Sequence, residues 1–373
     1  MMHDFGVSYK HTVILDLPLS LDPLNLAKNQ PVVSYDLSSR SRFGIFPRYS
    51  PEEVRWFETR PCCIFHTANS WDDITLNPST GEEEVQAVNM LACRLTSASL
   101  VFSAGDIAAP TPLRSTVEAE EEQCRLYYYQ FSMSSSSPQA RTQNTITHQW
   151  ALSAIPFEFP SLRDDVSMAA AKYIYGCSVS DSSFGAALGR AVKIDSLVKV
   201  DVETLIKRGK RSPPTPVIGC VDHRSVRDVL ISTDPGDPIK VFNMPIGWYA
   251  QECRFVPRAN GVSEDDGWIV SYVFDESWLD SDGDCLPDAT SELWIIDAKN
   301  MKDVVGRIHL PQRVPYGLHG NWFSEEEVTG QRPIDKIRSL PNSESKKVSD
   351  NSPGSATWGV WMGIRRHLEE LLG

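Results

Sequence analysis

Short runs of apolar and aromatic residues, broken every few positions by turn residues, set the pattern of this chain. Residues 11–15 (HTVIL), 42–46 (RFGIF), 126–131 (LYYYQF), 268–274 (WIVSYVF), 292–296 (ELWII) and 307–310 (RIHL) are rich in β-branched and aromatic side chains. Such residues suit a pleated, half-buried surface, and each run predicts a strand. Sustained helical periodicity is rare until the end of the chain. There Trp358, Trp361, Ile364, Leu368, Leu371 and Leu372 recur at spacings of three and four, with Arg365 and Arg366 near the polar side. That spacing predicts an amphipathic helix over 358–373. The Ser/Asn/Lys/Pro-rich stretch before it reads as a linker. The chain therefore divides into a strand-rich body over 1–330, a polar linker over 331–357 and the helix. Many short strands in one long chain point to a propeller or a large barrel, not to βαβ units. No clean sequence repeat is visible, so the pattern allows a propeller without demonstrating one.

Composition narrows the picture only a little. The chain has 373 residues, 41% of them hydrophobic and 23% charged, with a formal net charge of −13. An acidic surface repels phosphate backbones, which disfavours nucleic acid as a partner. The one basic run, Lys207-Arg208-Gly209-Lys210-Arg211, precedes Ser212-Pro213-Pro214. It reads as a solvated loop, with a nuclear-import address as the alternative. Eight cysteines include no C-x-x-C pair, and several sit inside apolar runs such as Cys62-Cys63-Ile64-Phe65. They read as reduced core thiols, which fits a cytoplasmic setting. No apolar stretch is long enough to span a bilayer, and no basic segment precedes an apolar core at the start. The C-terminal helix either docks on the body or lies on a membrane surface.

Two loops stand out. Residues 132–143 (SMSSSSPQARTQ) are polar. Residues 275–291 are acidic and predict a long hairpin loop. Within it, DSDGDCLPDATSE invites a calcium-loop reading, but Cys285 falls where an EF-hand needs glycine and Ser291 where it needs glutamate, counting from Asp280.

Local catalytic motifs are missing: there is no G-x-S-x-G, H-E-x-x-H, G-x-x-x-x-G-K-[ST] or G-x-G-x-x-G. An active site must then be assembled from distant positions. Three of the eight histidines have unusual surroundings: His3 in MHDFG, His66 in IFHTANSW and His319 in PYGLHGNW. Each lies between bulky apolar residues on one side and small or polar ones on the other. A histidine buried there needs a hydrogen-bond or metal partner. By pattern alone a satisfied core histidine is the simpler reading of each.

These three segments resemble three of the four histidine motifs of the carotenoid cleavage oxygenase family, also called the carotenoid oxygenase or retinal pigment epithelial membrane protein family. RFGIFPRY (42–49), VRWFET (54–59), FEFPSL (157–162), YIYG (173–176), SELWIIDAKNM (291–301) and LPQRVPYGLHGNW (310–322) are similar to family blocks in the same order. The likeness covers about residues 1–325, and CCIFHTANSW and QRVPYGLHGNW look most like fungal members.

The resemblance implies an all-β, seven-bladed β-propeller with short helices, and one Fe(II) on its axis held by four neutral imidazoles. His3, His66 and His319 match the second, third and fourth ligands. Glu158 matches the carboxylate that orients His66, and Glu252 the one that orients His319. A glutamate on the far ring nitrogen fixes the tautomer and raises ligand basicity. Imidazole suits Fe(II), and neutral donors leave the metal its full charge with room for O2. The first ligand and a third anchoring glutamate have no counterpart here, so the chain reads as an N-terminally truncated, incomplete propeller.

The family's reaction is oxidative cleavage of a conjugated C=C bond with O2 to two carbonyl products. The resemblance therefore implies an apolar polyene substrate, a carotenoid or apocarotenoid of torulene-like type, with a resveratrol-type stilbene as the alternative. No obligate protein partner is implied. Two other readings stay open at this point: an inactive pseudoenzyme or apolar-ligand binder, and a propeller scaffold whose histidines are structural.

Overall fold

The computed structural model describes residues 2–28, 32–96, 123–133, 144–180, 193–317 and 319–331. It falls into two compact units, Met1–Trp322 and Phe323–Gly373. Within the second unit the described part holds one short helix, Glu325–Thr329, started by a capping box between Ser324 and Glu327. The predicted linker beyond residue 331, the helix over 358–373 and most of the polar stretch 132–143 lie outside the described residues.

The first unit is built from sheets, as the aromatic and β-branched runs predict. The first sheet is an antiparallel meander in the order Gly6–Val7, His11–Asp16, Ser41–Pro47, Arg55–Thr59. The second runs Cys220–Asp222, Ile146–Ser153, Cys124–Ser132, Glu83–Leu95, Cys63–Leu76. Its only parallel pair among the described strands joins Cys220–Asp222 to Ile146–Ser153. The third is Glu158–Ser161, Tyr173–Ser178, Ser196–Asp201, Ile239–Asn243. The fourth is Trp248–Ala250, Gly267–Asp275, Glu292–Asp297, Val304–His309, with Arg254–Pro257 also paired to Gly267–Asp275. Residues 276–291 make the acidic hairpin loop between the middle strands of this sheet, as expected. Leu19–Leu21 and Val33–Tyr35 form a separate two-stranded ribbon.

The second sheet is buried on both faces, which explains its continuous apolar runs. Alternate residues of one strand serve opposite cores. Val88, Met90 and Ala92 join Phe43, Ile45 and Phe57 of the first sheet. Leu91, Cys93 and Leu95 face the other way, into a core shared with Tyr175, Val198, Ile269 and Trp294 of the third and fourth sheets. The tyrosine run divides likewise: Tyr127 and Tyr129 to one side, Tyr128 to the other. Cys62, Cys63, Cys93, Cys124, Cys177, Cys220 and Cys253 are buried reduced thiols, whereas Cys285 is an exposed one on the acidic loop.

The basic run is not a loop. Lys207–Arg211 is the second half of a helix, α1 (Val202–Arg211). Asp201 caps it by accepting from the Thr204 amide at 2.8 Å, and the cations of its last turn suit the negative end of the helix dipole. Val202, Leu205, Ile206 and Gly209 form its buried face. These positions, at three- and four-residue spacing, turn the lysines and arginines outward. Gly209 is where the helix touches Trp150 of the second sheet: an added Cβ would lie 2.4 Å from the ring. Among the described residues no helix is long and apolar enough to cross a membrane, which says nothing of strands.

Glycine inside a helix ordinarily costs stability relative to alanine. Gly209→Ala is nevertheless expected to destabilise the chain by about 1–3 kcal/mol through overpacking against Trp150. Urea denaturation measures this; an unchanged or raised midpoint would contradict the packing.

Candidate functional site

The three sequence-identified histidines meet. The His66 ring stands between the other two, with centroids 5.2 Å from His3 and 5.1 Å from His319, in edge-to-face contact with each. Each is fixed through the same ring atom. His3 Nδ1 lies 2.8 Å from the Phe65 carbonyl oxygen. A carbonyl only accepts, so this nitrogen carries the proton. His66 Nδ1 donates to Glu158 Oε2 at 2.6 Å, and His319 Nδ1 to Glu252 Oε2 at 3.2 Å. All three rings thereby keep the lone pair on Nε2.

Burial differs from the sequence expectation. His66 is partly buried, with 18% of its side chain exposed, but His3 is exposed and His319 has 49% of its side chain exposed. The apolar neighbours of the two outer rings are themselves about half exposed, Met2 and Phe5 beside His3 and Trp322 beside His319, so flanking residues overstated how enclosed the site is.

The carboxylates sit deep. Glu158 begins a short strand, and its Oε2 also accepts from the Phe159 amide at 2.7 Å. Phe159 takes a left-handed backbone, φ 54°, uncommon for a bulky residue. This turn sets its ring against His66 (5.3 Å) and His319 (6.1 Å). The neighbouring strand passes so close that a Cβ on Gly176 would lie 2.9 Å from the Glu158 carbonyl oxygen. Glu252 is held from its other oxygen by Arg254 at 3.2 Å, and Arg254 Nε donates to the Gly320 carbonyl at 2.7 Å. Gln251 donates to the Pro315 carbonyl at 3.0 Å. Together these residues tether the segment that carries His319.

Sequence reasoning missed Asp4, Thr67 and Gln251. Asp4 Oδ2 accepts from the Thr67 amide (2.7 Å) and hydroxyl (2.8 Å), tying the residue after His3 to the residue after His66. Farther along, Asp72 accepts from His11 Nδ1 at 2.7 Å and from the Lys10 amide at 3.0 Å, closing the same N-terminal hairpin on the same strand. Adjacency to His3 was the available signal for Asp4. The Phe65 carbonyl, as a backbone group, had none.

Burial disfavours the charged His66 ring, but the hydrogen bond to Glu158 and the charges of Glu158, Asp4 and Glu252 outweigh it, so His66 titrates above its ordinary value. Its Nε2 is sealed from solvent and has no hydrogen-bond partner among the described residues. Such a nitrogen costs about 1–3 kcal/mol unless something answers its lone pair. A cation does so, and neutral imidazoles with fixed Nδ1 protons are a donor set that suits a first-row metal. Among the described residues, no group of three or more His, Cys, Asp or Glu side chains is already drawn into a metal cage. The rings are neighbours whose anchoring fits a metal. In the acidic loop, Asp280 Oδ1 instead accepts the amides of Asp282 and Asp284, each at 2.9 Å, as an ordinary turn does.

An all-β chain whose distant segments bring three carbonyl- or carboxylate-anchored imidazoles together defines a histidine-centre protein. The pattern describing the retinal pigment epithelial membrane protein family matches residues 1–324, and the chain belongs to that family. It is 50% identical to carotenoid dioxygenase carX of Gibberella fujikuroi over 412 aligned positions, covering 100% of this chain and 58% of that protein. A carotenoid 9,10(9',10')-cleavage dioxygenase of Crocus sativus is 28% identical, covering 89% of this chain and 50% of its own length. Two solved structures share the fold, each at a TM-score of 0.58 and 19% identity. Cobalt-substituted Synechocystis apocarotenoid oxygenase covers 87% of this chain and 53% of its own. Pseudomonas brassicacearum lignostilbene dioxygenase covers 86% and 54%. The chain thus spans about half the length of these relatives.

Two outcomes test this geometry. The Glu158 pairing raises the folded-state value of His66, so its stabilisation is full below the unfolded histidine value and is lost as pH rises through the folded one. Metal-free chain is expected to lose stability across that window in denaturant titrations, and Glu158→Gln to flatten the loss; equal pH profiles would contradict the pairing. Asp4→Ala, which frees the segment bearing His3, is expected to weaken binding of a divalent metal probe by about tenfold or more. Unchanged affinity in calorimetry would show that the tether does not position the ring.

Proposed function

We propose that this chain supplies the metal-holding part of a non-haem Fe(II) dioxygenase that cleaves a conjugated C=C bond of a carotenoid or apocarotenoid. The products are two carbonyl compounds, and the sheets are blades of a seven-bladed β-propeller. The observation that carries the reading is the sealed, partnerless His66 Nε2 beside two rings anchored in the same sense. The relatives' names support the substrate class: the chain is half identical along its whole length to a protein named a carotenoid dioxygenase. The stilbene alternative has only a structural neighbour behind it, at an identity that speaks for fold alone.

In this reading His3, His66 and His319 hold the iron through Nε2. When bound, iron supplies the binding and activation of O2 next to the alkene. The protein's own part is orientation. Glu158, Glu252 and the Phe65 carbonyl each keep a proton on Nδ1, so no ring turns its N–H toward the metal. Phe159 presents an apolar face beside His66 and His319, where it limits water. A cavity of about 350 Å³ borders His319 and is walled in part by Val270, Leu293 and Trp322. Its apolar walls suit a hydrocarbon chain more than a charged substrate.

The test pairs metal analysis with product analysis. Chain purified without oxygen and loaded with Fe(II) is expected to retain iron stoichiometrically, and His66→Ala to lose it with its circular dichroism unchanged. With an apocarotenal the loaded protein is expected to release aldehydes, and with resveratrol none. Equal iron in wild type and His66→Ala would contradict the site. Cleavage of resveratrol alone would replace the carotenoid reading with the stilbene one.

A further inference from the structure

The chain carries 49 acidic residues against 36 basic ones. Even so, a second cavity of about 350 Å³, sharing no lining residue with the histidine site, is lined by Arg60 and Arg94 and by no acidic side chain among the described residues. Arg94 lies near the end of the strand Glu83–Leu95 and is only 5% exposed. Its Nη2 reaches the Pro61 carbonyl oxygen at 3.4 Å, and its other protein neighbours are the neutral side chains of Cys62, Tyr127 and Tyr129. Its guanidinium lies 5.0 Å from the Tyr127 ring centroid, and none of the described carboxylates pairs with it. Removing such a cation from water without a counter-charge is strongly unfavourable unless an anion reaches it. Arg60, exposed at the mouth, adds a second positive charge.

The other walls complete a polar cradle. Thr96 Oγ1 accepts the Gln123 amide at 3.0 Å, which leaves the hydroxyl proton and the Gln123 side-chain amide as donors facing the cavity they line. Tyr127 gives its own hydroxyl proton to the Val217 carbonyl at 2.8 Å, which fixes that wall. Leu37, 70% exposed, and Ile218, 55% exposed, stand at the rim. Guanidinium forks match the oxygens of phosphate better than those of smaller anions, and the rim matches an apolar group attached to it.

We propose that this cavity is a binding site for a phosphate ester, with Arg94 as the buried anchor and Arg60 as the gate cation. The same chemistry is offered by a free phosphate and by the headgroup of an anionic lipid. A protein of net charge −13 has no general tendency to bind either, so saturable binding must come from a local site.

The experiment uses the full chain with two probes: inorganic phosphate by calorimetry, and phosphatidylcholine vesicles with and without phosphatidic acid by sedimentation. Binding is expected to weaken at least about tenfold in Arg60→Glu and in Arg94→Gln. Arg60 is exposed, so its variant is expected to fold even if the buried change at Arg94 does not, and thermal unfolding checks this. Binding to phosphatidic acid vesicles that phosphate displaces assigns the lipid headgroup. Binding of phosphate without vesicle capture assigns the free anion. No binding of either probe, or equal binding by wild type and folded Arg60→Glu, would overturn the proposal.

Discussion

The structure turns on a hydrogen bond made at the back of an imidazole. His66 gives its Nδ1 proton to the buried Glu158, and that single commitment decides which nitrogen is left with a lone pair, where it points and how firmly. A carboxylate that deep would be costly without donors, and its Oε2 takes two, the ring and the Phe159 amide. His319 and His3 repeat the arrangement with weaker backing, one a longer carboxylate bond and the other a carbonyl. The site is therefore graded, rigid at its centre and looser at its two exposed rings.

Those bonds could not exist without the stacking of sheets. His66 and Glu158 are 92 residues apart, and His319 and Glu252 are 67 apart. The second sheet, buried on both faces, fixes the strand that carries His66. Short segments from the first, third and fourth sheets then bring up His3, Glu158 and Glu252. Tight passages make this possible: Gly176 lets one strand cross behind Glu158, and the left-handed Phe159 re-aims the chain at the rings. At the rings, one left-handed residue and one absent side chain provide that closeness. The fold and the site are in this sense one piece of packing.

Much of this was legible in the chain itself. The aromatic and β-branched runs marked the strands because period-two burial follows directly from side-chain chemistry. The histidines and glutamates stood out through motif likeness, since local spacing could not link residues so far apart. Other parts left little trace. Helix α1 offers only four buried positions over ten residues, and its basic residues drew the reading toward a loop. Asp4 and Gln251 act on backbone amides and carbonyls, partners that sequence does not name. The openness of His3 and His319 follows from exposed apolar neighbours, Met2, Phe5 and Trp322, whose residue types alone read as buried.

The neutral rings of His3, His66 and His319 are all held as the Nδ1–H tautomer. Nitrogen-15 NMR of the metal-free chain with labelled histidine reads this directly, because protonated and unprotonated ring nitrogens resonate far apart. At a pH above the titration of His66, His3, His66 and His319 are each expected to show a protonated Nδ1 and a bare Nε2. A proton on Nε2 of His66, with Nδ1 bare, would contradict it.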